Sequence, residues 1–277
     1  MNPRLFLKIM ILFMLVPSLI CLLLPDPIAS GYTRIMFPSV LLISAFFSMR
    51  IASIYQRWLR KAFVFLSLFL SFMMLAHIDL HWAILSELAG TSFPLVVLIT
   101  QWATYAMLVL CALYVLKVTE LREIGRTGWF VILAMLFMGS IIVLYHIPSV
   151  LQQLFVARYA DVYTISLLLI RLLDVVIVIM LVPVVILYAQ QMKLEGRESI
   201  TFITVIGGII LSLTVAYLYE IVSGVPLYVV RHAVYHTGSI LDALYLFSYL
   251  TIAVGLYVHK KYDEWGYQIV EKALTGA

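Results

Sequence analysis

The sequence has few charged residues and few cysteines. Asp, Glu, Lys and Arg make up 12% of the 277 residues, whereas apolar residues make up 64% and the mean hydropathy is +1.09. Soluble domains are about one quarter charged, so the composition excludes a soluble domain and predicts an integral membrane protein. Cys21 and Cys111 both lie inside apolar runs, which gives no indication of a disulfide framework or a thiolate metal site.

Motifs of several common enzyme classes are also missing from the sequence. Phosphate-binding loops, dinucleotide-binding glycine patterns, nucleophile elbows and the His-Glu-x-x-His zinc motif do not occur. No lysine lies between Asp242 and Leu256, which excludes a retinal Schiff base in the last apolar run. The net charge of +4 does not indicate nucleic acid binding, because the basic residues are scattered between hydrophobic runs.

Long apolar runs dominate the chain. A membrane-spanning helix needs about 20 mostly apolar residues, and eight runs qualify: 5–24, 35–55, 61–83, 93–117, 128–149, 162–190, 199–222 and 240–259. The first run could be a signal peptide, but its length favours a retained span. The predicted fold class is therefore all-α, a polytopic membrane bundle of eight transmembrane helices. We expect one domain over 1–261 and a short cytoplasmic amphipathic tail over 262–277.

The positions of Lys and Arg predict the orientation of these spans. Basic residues stay in the cytoplasm beside helix ends, and 14 of the 18 fall in alternate segments between the runs. They are Arg4, Lys8, Arg50, Arg57, Arg60, Lys61, Lys117, Arg122, Arg126, Lys193, Arg197, Lys260, Lys261 and Lys272. Eight spans in the cell membrane, with both termini cytoplasmic, fit this asymmetry. Five of the six histidines then fall on the outer side.

The main candidate site is built around segment 231–242, which leads into the last run. His232 and His236 are four residues apart, so a helix would present both imidazoles on one face. We expect a short interfacial helix near 226–236. Ser239, with Asp242 three residues later, is typical of a helix start, so the last span is predicted to begin there.

A second pair, His77 and His81, follows the third run with the same spacing, and the helix is expected to continue through it to Gly90. If spans three and eight adjoin, four imidazoles converge at the outer boundary. Nitrogen-rich sites suit Zn, Cu or haem iron, with carboxylates accepting from the other ring nitrogens. The predicted ligands are His77, His81, His232 and His236, and the further candidates are Asp79, His146, Glu220 and Asp242. The alternatives are histidines that anchor helix ends at the lipid–water boundary or sense protons without a metal.

Polar residues also occur at mid-depth in the bundle. Arg171 and Asp174 lie three residues apart in the sixth run, and Gln101 is at comparable depth in the fourth. Charges at that depth are costly unless paired. The three residues indicate either a proton, solute or quinone site or a self-compensating structural pair. Gly207 and Gly208 in the seventh run predict a close helix approach.

The segment His232-Ala-Val-Tyr-His236, just before the last span, resembles the His-x-x-x-His of the ceramidase and progestin-receptor-like membrane hydrolases. The resemblance implies a zinc amidohydrolase in which His232, His236 and His77 or His81 hold zinc. Asp79 would orient the attacking water. Met73 stands where that family has a serine before its early histidine, and the chain has eight predicted helices instead of seven.

Asp242-Ala-Leu-Tyr, followed by Ser248-Tyr249-Leu-Thr-Ile-Ala-Val-Gly255, resembles the last helix of sensory modules that precede microbial kinases. This resemblance implies signalling through a separate membrane or signalling protein partner. The leading prediction is a membrane module that binds a metal ion or haem on its outer face for sensing, ion handling or electron transfer. A zinc-dependent hydrolase of lipid amides is the alternative. Solute or quinone binding at the mid-membrane residues is the second alternative.

Overall fold

The computed structural model describes residues 3–78, 93–119, 125–155, 162–191, 196–223 and 240–265. Within these ranges the chain forms eight α-helices and no strand, which confirms the all-α prediction for the described part of the chain. The helices are α1 Pro3–Leu23, α2 Asp26–Ala52, α3 Arg57–Ala76, α4 Phe93–Val118, α5 Arg126–Phe155, α6 Val162–Gln191, α7 Gly196–Ser223 and α8 Ile240–Trp265. Each helix corresponds to one predicted apolar run.

Six of the described helices, α2, α3, α4, α6, α7 and α8, are long and apolar enough to cross a membrane. The other two contribute shorter apolar stretches, Lys8–Leu23 of α1 and Gly128–Ile141 of α5. Large apolar side chains face outwards, including Phe130 at 73% and Phe137 at 68% exposure on α5. Soluble monomeric proteins rarely expose so much contiguous apolar surface, so these features indicate a multi-pass membrane protein.

The six long apolar helices pack in a closed ring. α2 contacts α3, α3 contacts α4, α4 contacts α6, α6 contacts α7, α7 contacts α8, and α8 returns to α2. The two helices with shorter apolar stretches lie outside the ring, where α1 packs on α8 and α5 packs on α6. Apolar side chains fill the described interior, and a cavity of about 20 Å³ lies among α3, α4, α6 and α7.

α7 and α8 approach each other closely at Gly208. A β-carbon at this position would lie 2.6 Å from Cγ1 of Ile252 and 2.8 Å from the carbonyl oxygen of Ser248. At Gly207 the same added atom would meet nothing within 4 Å. The prediction of a close helix approach is confirmed for Gly208, because only a residue without a side chain fits against the backbone of α8 there.

Side-chain contacts place several helix termini at one end of the bundle. Tyr55, between α2 and α3, hydrogen-bonds to His259 near the end of α8, and Thr201 near the start of α7 hydrogen-bonds to the same ring. Lys117, at the end of α4, lies over the ring of Trp58 at the start of α3. We call this the basic end, because it carries the described residues Arg50, Arg57, Arg60, Lys61, Lys117 and Lys260.

Two helix boundaries differ from the predictions. The expected continuation of the third helix through His77 is wrong, because α3 ends at Ala76 and His77 caps it. The backbone N–H groups of His77 and Ile78 bond to the carbonyls of Met74 and Leu75, so the last turn tightens. α8 continues to Trp265, beyond the predicted end of the last run at residue 259 and into the first residues of the predicted amphipathic tail. The predicted helix near 226–236 lies outside the described residues.

Candidate functional site

Asp174 places a buried carboxylate in the middle of the apolar helix α6. Asp174 is 2% exposed and accepts a hydrogen bond from the hydroxyl of Tyr105 on α4. Gln101 lies one helical turn before Tyr105. Its buried Oε1 has no hydrogen-bond partner among the described residues. A carboxylate and a phenol are thus joined across the α4–α6 contact, and a primary amide lies one turn away on α4.

A pocket of about 180 Å³ opens beside Asp174, between α5, α6 and α7. The polar lining residues are Asp174, Thr214 and Tyr217, and the apolar lining includes Met135, Met138 and Val178. A buried polar group is costly unless it is hydrogen-bonded or paired. A ligand in this pocket would meet a strong hydrogen-bond acceptor within a mostly apolar lining.

Two of the three residues of the mid-membrane prediction are described with their side chains. Asp174 accepts a hydrogen bond from Tyr105, and Gln101 lies one turn before Tyr105 on α4. Arg171 lies on α6 three residues before Asp174, but its side chain is outside the described part. Tyr105 was missing from the predicted site. Its position four residues after Gln101 in an apolar helix was the available signal.

His77 of the predicted metal site lies at the end of α3 opposite the basic end. Its Nε2 lies 3.0 Å from the hydroxyl of Tyr249 on α8, and its ring packs edge-on against Phe37 at 5.0 Å between centroids. Phe63 of α3 also approaches His259 of α8, with 5.9 Å between ring centroids. Spans three and eight therefore touch through side chains, as the metal hypothesis requires.

Asp242, a further candidate, is fully buried in the first turn of α8. It lies near the thiol of Cys21 on α1, which in turn lies near the phenol of Tyr32 on α2. Tyr245 follows one turn later, and its ring lies 5.9 Å from that of Tyr249. A line of polar groups thus runs along the buried face of α8 from Asp242 to Tyr249.

The other predicted ligands lie beyond what the structure describes. Asp79, His81, His232 and His236 fall outside the described residues. His146 on α5 and Glu220 on α7 lie in described helices, but their side chains are not described. Within the described residues, no group of three or more His, Cys, Asp or Glu side chains could hold a metal ion. Of the histidines carried over from the hydrolase resemblance, only His77 is described.

His259 is a buried histidine that the sequence reasoning passed over. Its ring is fully buried, with Nδ1 2.6 Å from Oγ1 of Thr201 and Nε2 3.0 Å from the hydroxyl of Tyr55. A neutral imidazole donates through one nitrogen and accepts through the other, so both partners can be satisfied. The sequence could have drawn attention to it, because it is the single histidine on the predicted inner side. Its contacts indicate a structural role, in which it holds α7 and the α2–α3 turn against α8.

The comparisons with known proteins leave the family open. No family model, no curated protein and no solved structure matches this chain at a significant level. Functional inference therefore depends on the geometry of the side chains described above.

Proposed function

We propose that the protein binds a lipophilic, ring-sized solute of the quinone class in the pocket beside Asp174. The observation that carries this proposal is a buried carboxylate lining a pocket of about 180 Å³ within a bundle of apolar helices. Apolar cavities of about 150 Å³ hold one benzene-sized molecule. The pocket therefore has the volume of a quinone ring and leaves little room for a larger headgroup.

The carboxylate of the pocket matches the reduced form of such a ring. Asp174 lines the pocket and accepts from the hydroxyl of a quinol, while the mostly apolar lining packs against the ring. The pocket borders α5, which packs against α6 outside the helix ring. A ligand dissolved in the lipid would reach the pocket between helices, without crossing the packed interior of the ring.

Titration with the reduced, quinol form of a short-chain benzoquinone, followed by quenching of tryptophan fluorescence, tests this proposal. Asp174→Asn is expected to weaken quinol binding about tenfold or more, because a hydrogen bond to a charged acceptor contributes about 1.5–3 kcal/mol. Asp242→Asn, which alters a buried carboxylate outside the pocket lining, is the matched control and should leave binding unchanged. Failure of the natural sequence to bind, or equal binding by Asp174→Asn, would contradict the proposal.

A second candidate function is binding of a metal ion, Zn or Cu, or of haem by His77, His81, His232 and His236. It is supported by the contact between His77 and Tyr249, which joins α3 to α8 at the end where α8 begins. Segment 232–236 precedes α8 by only a few residues. Such a site would serve sensing, ion handling or electron transfer, with a membrane or signalling protein as partner.

Visible absorption and elemental analysis of the purified protein test the second candidate. A Soret band indicates haem, and stoichiometric zinc or copper indicates a metal site; either signal should disappear in the double variant His77→Ala with His236→Ala. His259→Gln serves as the control, because this histidine lies at the basic end. Zinc together with turnover of lipid amides would indicate the hydrolase. Absence of every signal, or its persistence in the double variant, counts against this candidate.

We further propose that all eight helices span the cell membrane with both termini in the cytoplasm. The proposal is supported by the basic end, where α2, α4 and α8 finish and α3 and α7 start. The test uses single cysteines in a background without Cys21 and Cys111. In intact cells an impermeant maleimide should label Thr237→Cys and spare Ser53→Cys. The reverse labelling would overturn the orientation.

A further inference from the structure

Two lysines from different helices converge on one tryptophan at the basic end. Nζ of Lys117 on α4 lies 3.6 Å from the ring centroid of Trp58, and Nζ of Lys61 on α3 lies 4.8 Å from it. Trp58 is 39% exposed and stacks on Tyr114, with 5.7 Å between ring centroids. We call these four residues the lysine–tryptophan patch.

The patch concentrates positive charge on rigid supports. Contact with an aromatic face holds an ammonium group in place and leaves its N–H donors available. Both lysines are exposed, and no ion pair joins either of them to a carboxylate within the described part of the chain. Arg57 and Arg60 in the first turn of α3 are exposed as well. An anionic ligand would therefore complement the positive charge of these four side chains.

Apolar surface continues from the patch along α3 and α4. Phe65, one turn after Lys61, stacks on Tyr114 with 5.4 Å between centroids. Leu113, one turn before Lys117, is an exposed residue of α4. Residues four apart share a helix face, so the lysines lie above an apolar surface facing the lipid. A ligand that complements both the lysines and the apolar surface has an anionic head and an acyl chain.

We propose that the lysine–tryptophan patch binds the headgroup of an anionic phospholipid, with an acyl chain along α3 and α4. Basic pockets between spanning helices bind anionic lipid headgroups, because lysine and arginine near a membrane surface attract their negative charge. A free phosphate ion would use the lysines but would leave the apolar surface below them unmatched. The site is separate from the pocket at Asp174 and does not depend on its ligand.

Native mass spectrometry of the purified protein in a neutral detergent tests this site. The two probes are phosphatidylglycerol and phosphatidylcholine with the same acyl chains. The protein is expected to bind phosphatidylglycerol preferentially. The double variant Lys61→Gln with Lys117→Gln should raise the concentration for half-occupancy about tenfold or more. The double arginine variant at the same positions should retain binding, which separates loss of charge from loss of fold.

Lys260→Gln is the matched control, because Lys260 also lies over an aromatic ring, that of Phe47, at 5.3 Å. It should leave lipid binding unchanged. Equal binding of the two lipids, or equal weakening by the control, would overturn the proposal in favour of diffuse surface charge. Displacement of phosphatidylglycerol by inorganic phosphate at equal concentration would overturn it in favour of a simple anion site.

Discussion

Nδ1 of His259 lies 2.6 Å from Oγ1 of Thr201, inside a cluster of aromatic rings at the basic end. The opposite ring nitrogen meets the hydroxyl of Tyr55, which lies in the turn between α2 and α3. One buried imidazole thus connects α7, α8 and the α2–α3 turn. Its polar atoms are satisfied by protein groups, as buried polar atoms usually are.

Removing either partner hydroxyl should destabilise the protein. Thr201→Val and Tyr55→Phe each delete one hydrogen bond to the buried ring, with an expected loss of about 1–3 kcal/mol in the free energy of unfolding. The thermal midpoint of the purified protein in detergent measures the effect. Thr214→Val is the control, because Thr214 is exposed and its one hydrogen bond to a described residue is to the carbonyl of Ile210 in its own helix. An equal loss in the control would contradict this role of His259.

Two adjacent glycines should respond differently to alanine. Gly208→Ala places a methyl group against the α8 backbone, and overpacking of this kind costs about 1–3 kcal/mol. Gly207→Ala points into open space and should cost little, since alanine favours helix over glycine. Thermal midpoints of the two variants in the same detergent make the comparison. Equal midpoints would mean that α7 and α8 do not meet at Gly208.

The phenol of Tyr105 should stabilise the buried carboxylate of Asp174. Tyr105→Phe removes a hydrogen bond to this group, and its expected cost is about 1.5–3 kcal/mol. Tyr114→Phe on the same helix is the control, because Tyr114 stacks on Trp58 and Phe65 and its hydroxyl has no hydrogen bond in the described part of the protein. Equal thermal midpoints for the two variants would show that the hydroxyl of Tyr105 does not stabilise Asp174.

The double variant Arg171→Leu with Asp174→Leu should be more stable than the single variant Arg171→Leu. Arg171→Leu alone leaves the buried carboxylate without its predicted cation, a change that costs about 3–5 kcal/mol in buried pairs. Adding Asp174→Leu removes the stranded charge and should restore part of the stability. The fraction of folded protein after heating, read by size-exclusion chromatography, measures this difference. A double variant less stable than Arg171→Leu would show that the two residues do not form a pair.

The helices were predictable because hydropathy is a local property. Each of the eight apolar runs is a helix in the described part of the chain, since about 20 apolar residues can be accommodated in lipid only as a hydrogen-bonded helix. The end of α3 was less predictable, because His77 bonds to Tyr249, a residue 172 positions away. The residues next to His77 in the sequence do not indicate such a long-range contact.

The candidate site was predictable in its residue types and less so in its partners. Asp174 and Gln101 were identified because polar groups in apolar runs are costly. Tyr105 was missed because tyrosine is common in membrane helices and only the packing of α4 on α6 shows what its hydroxyl meets. The roles of Trp58, Lys61 and Lys117 likewise depend on a contact between two helices.

The position of α8 has a consequence for biosynthesis. This helix closes the ring between α2 and α7 and supports most of the packing of α1, although it is translated after all of them. During translation, α1 and α2 must wait in the bilayer or the insertion machinery until α8 arrives. A ribosome stalled before residue 240 would leave α1 without its main neighbour and α2 with α3 as its one large neighbour, so that both would be exposed to quality-control proteases of the membrane.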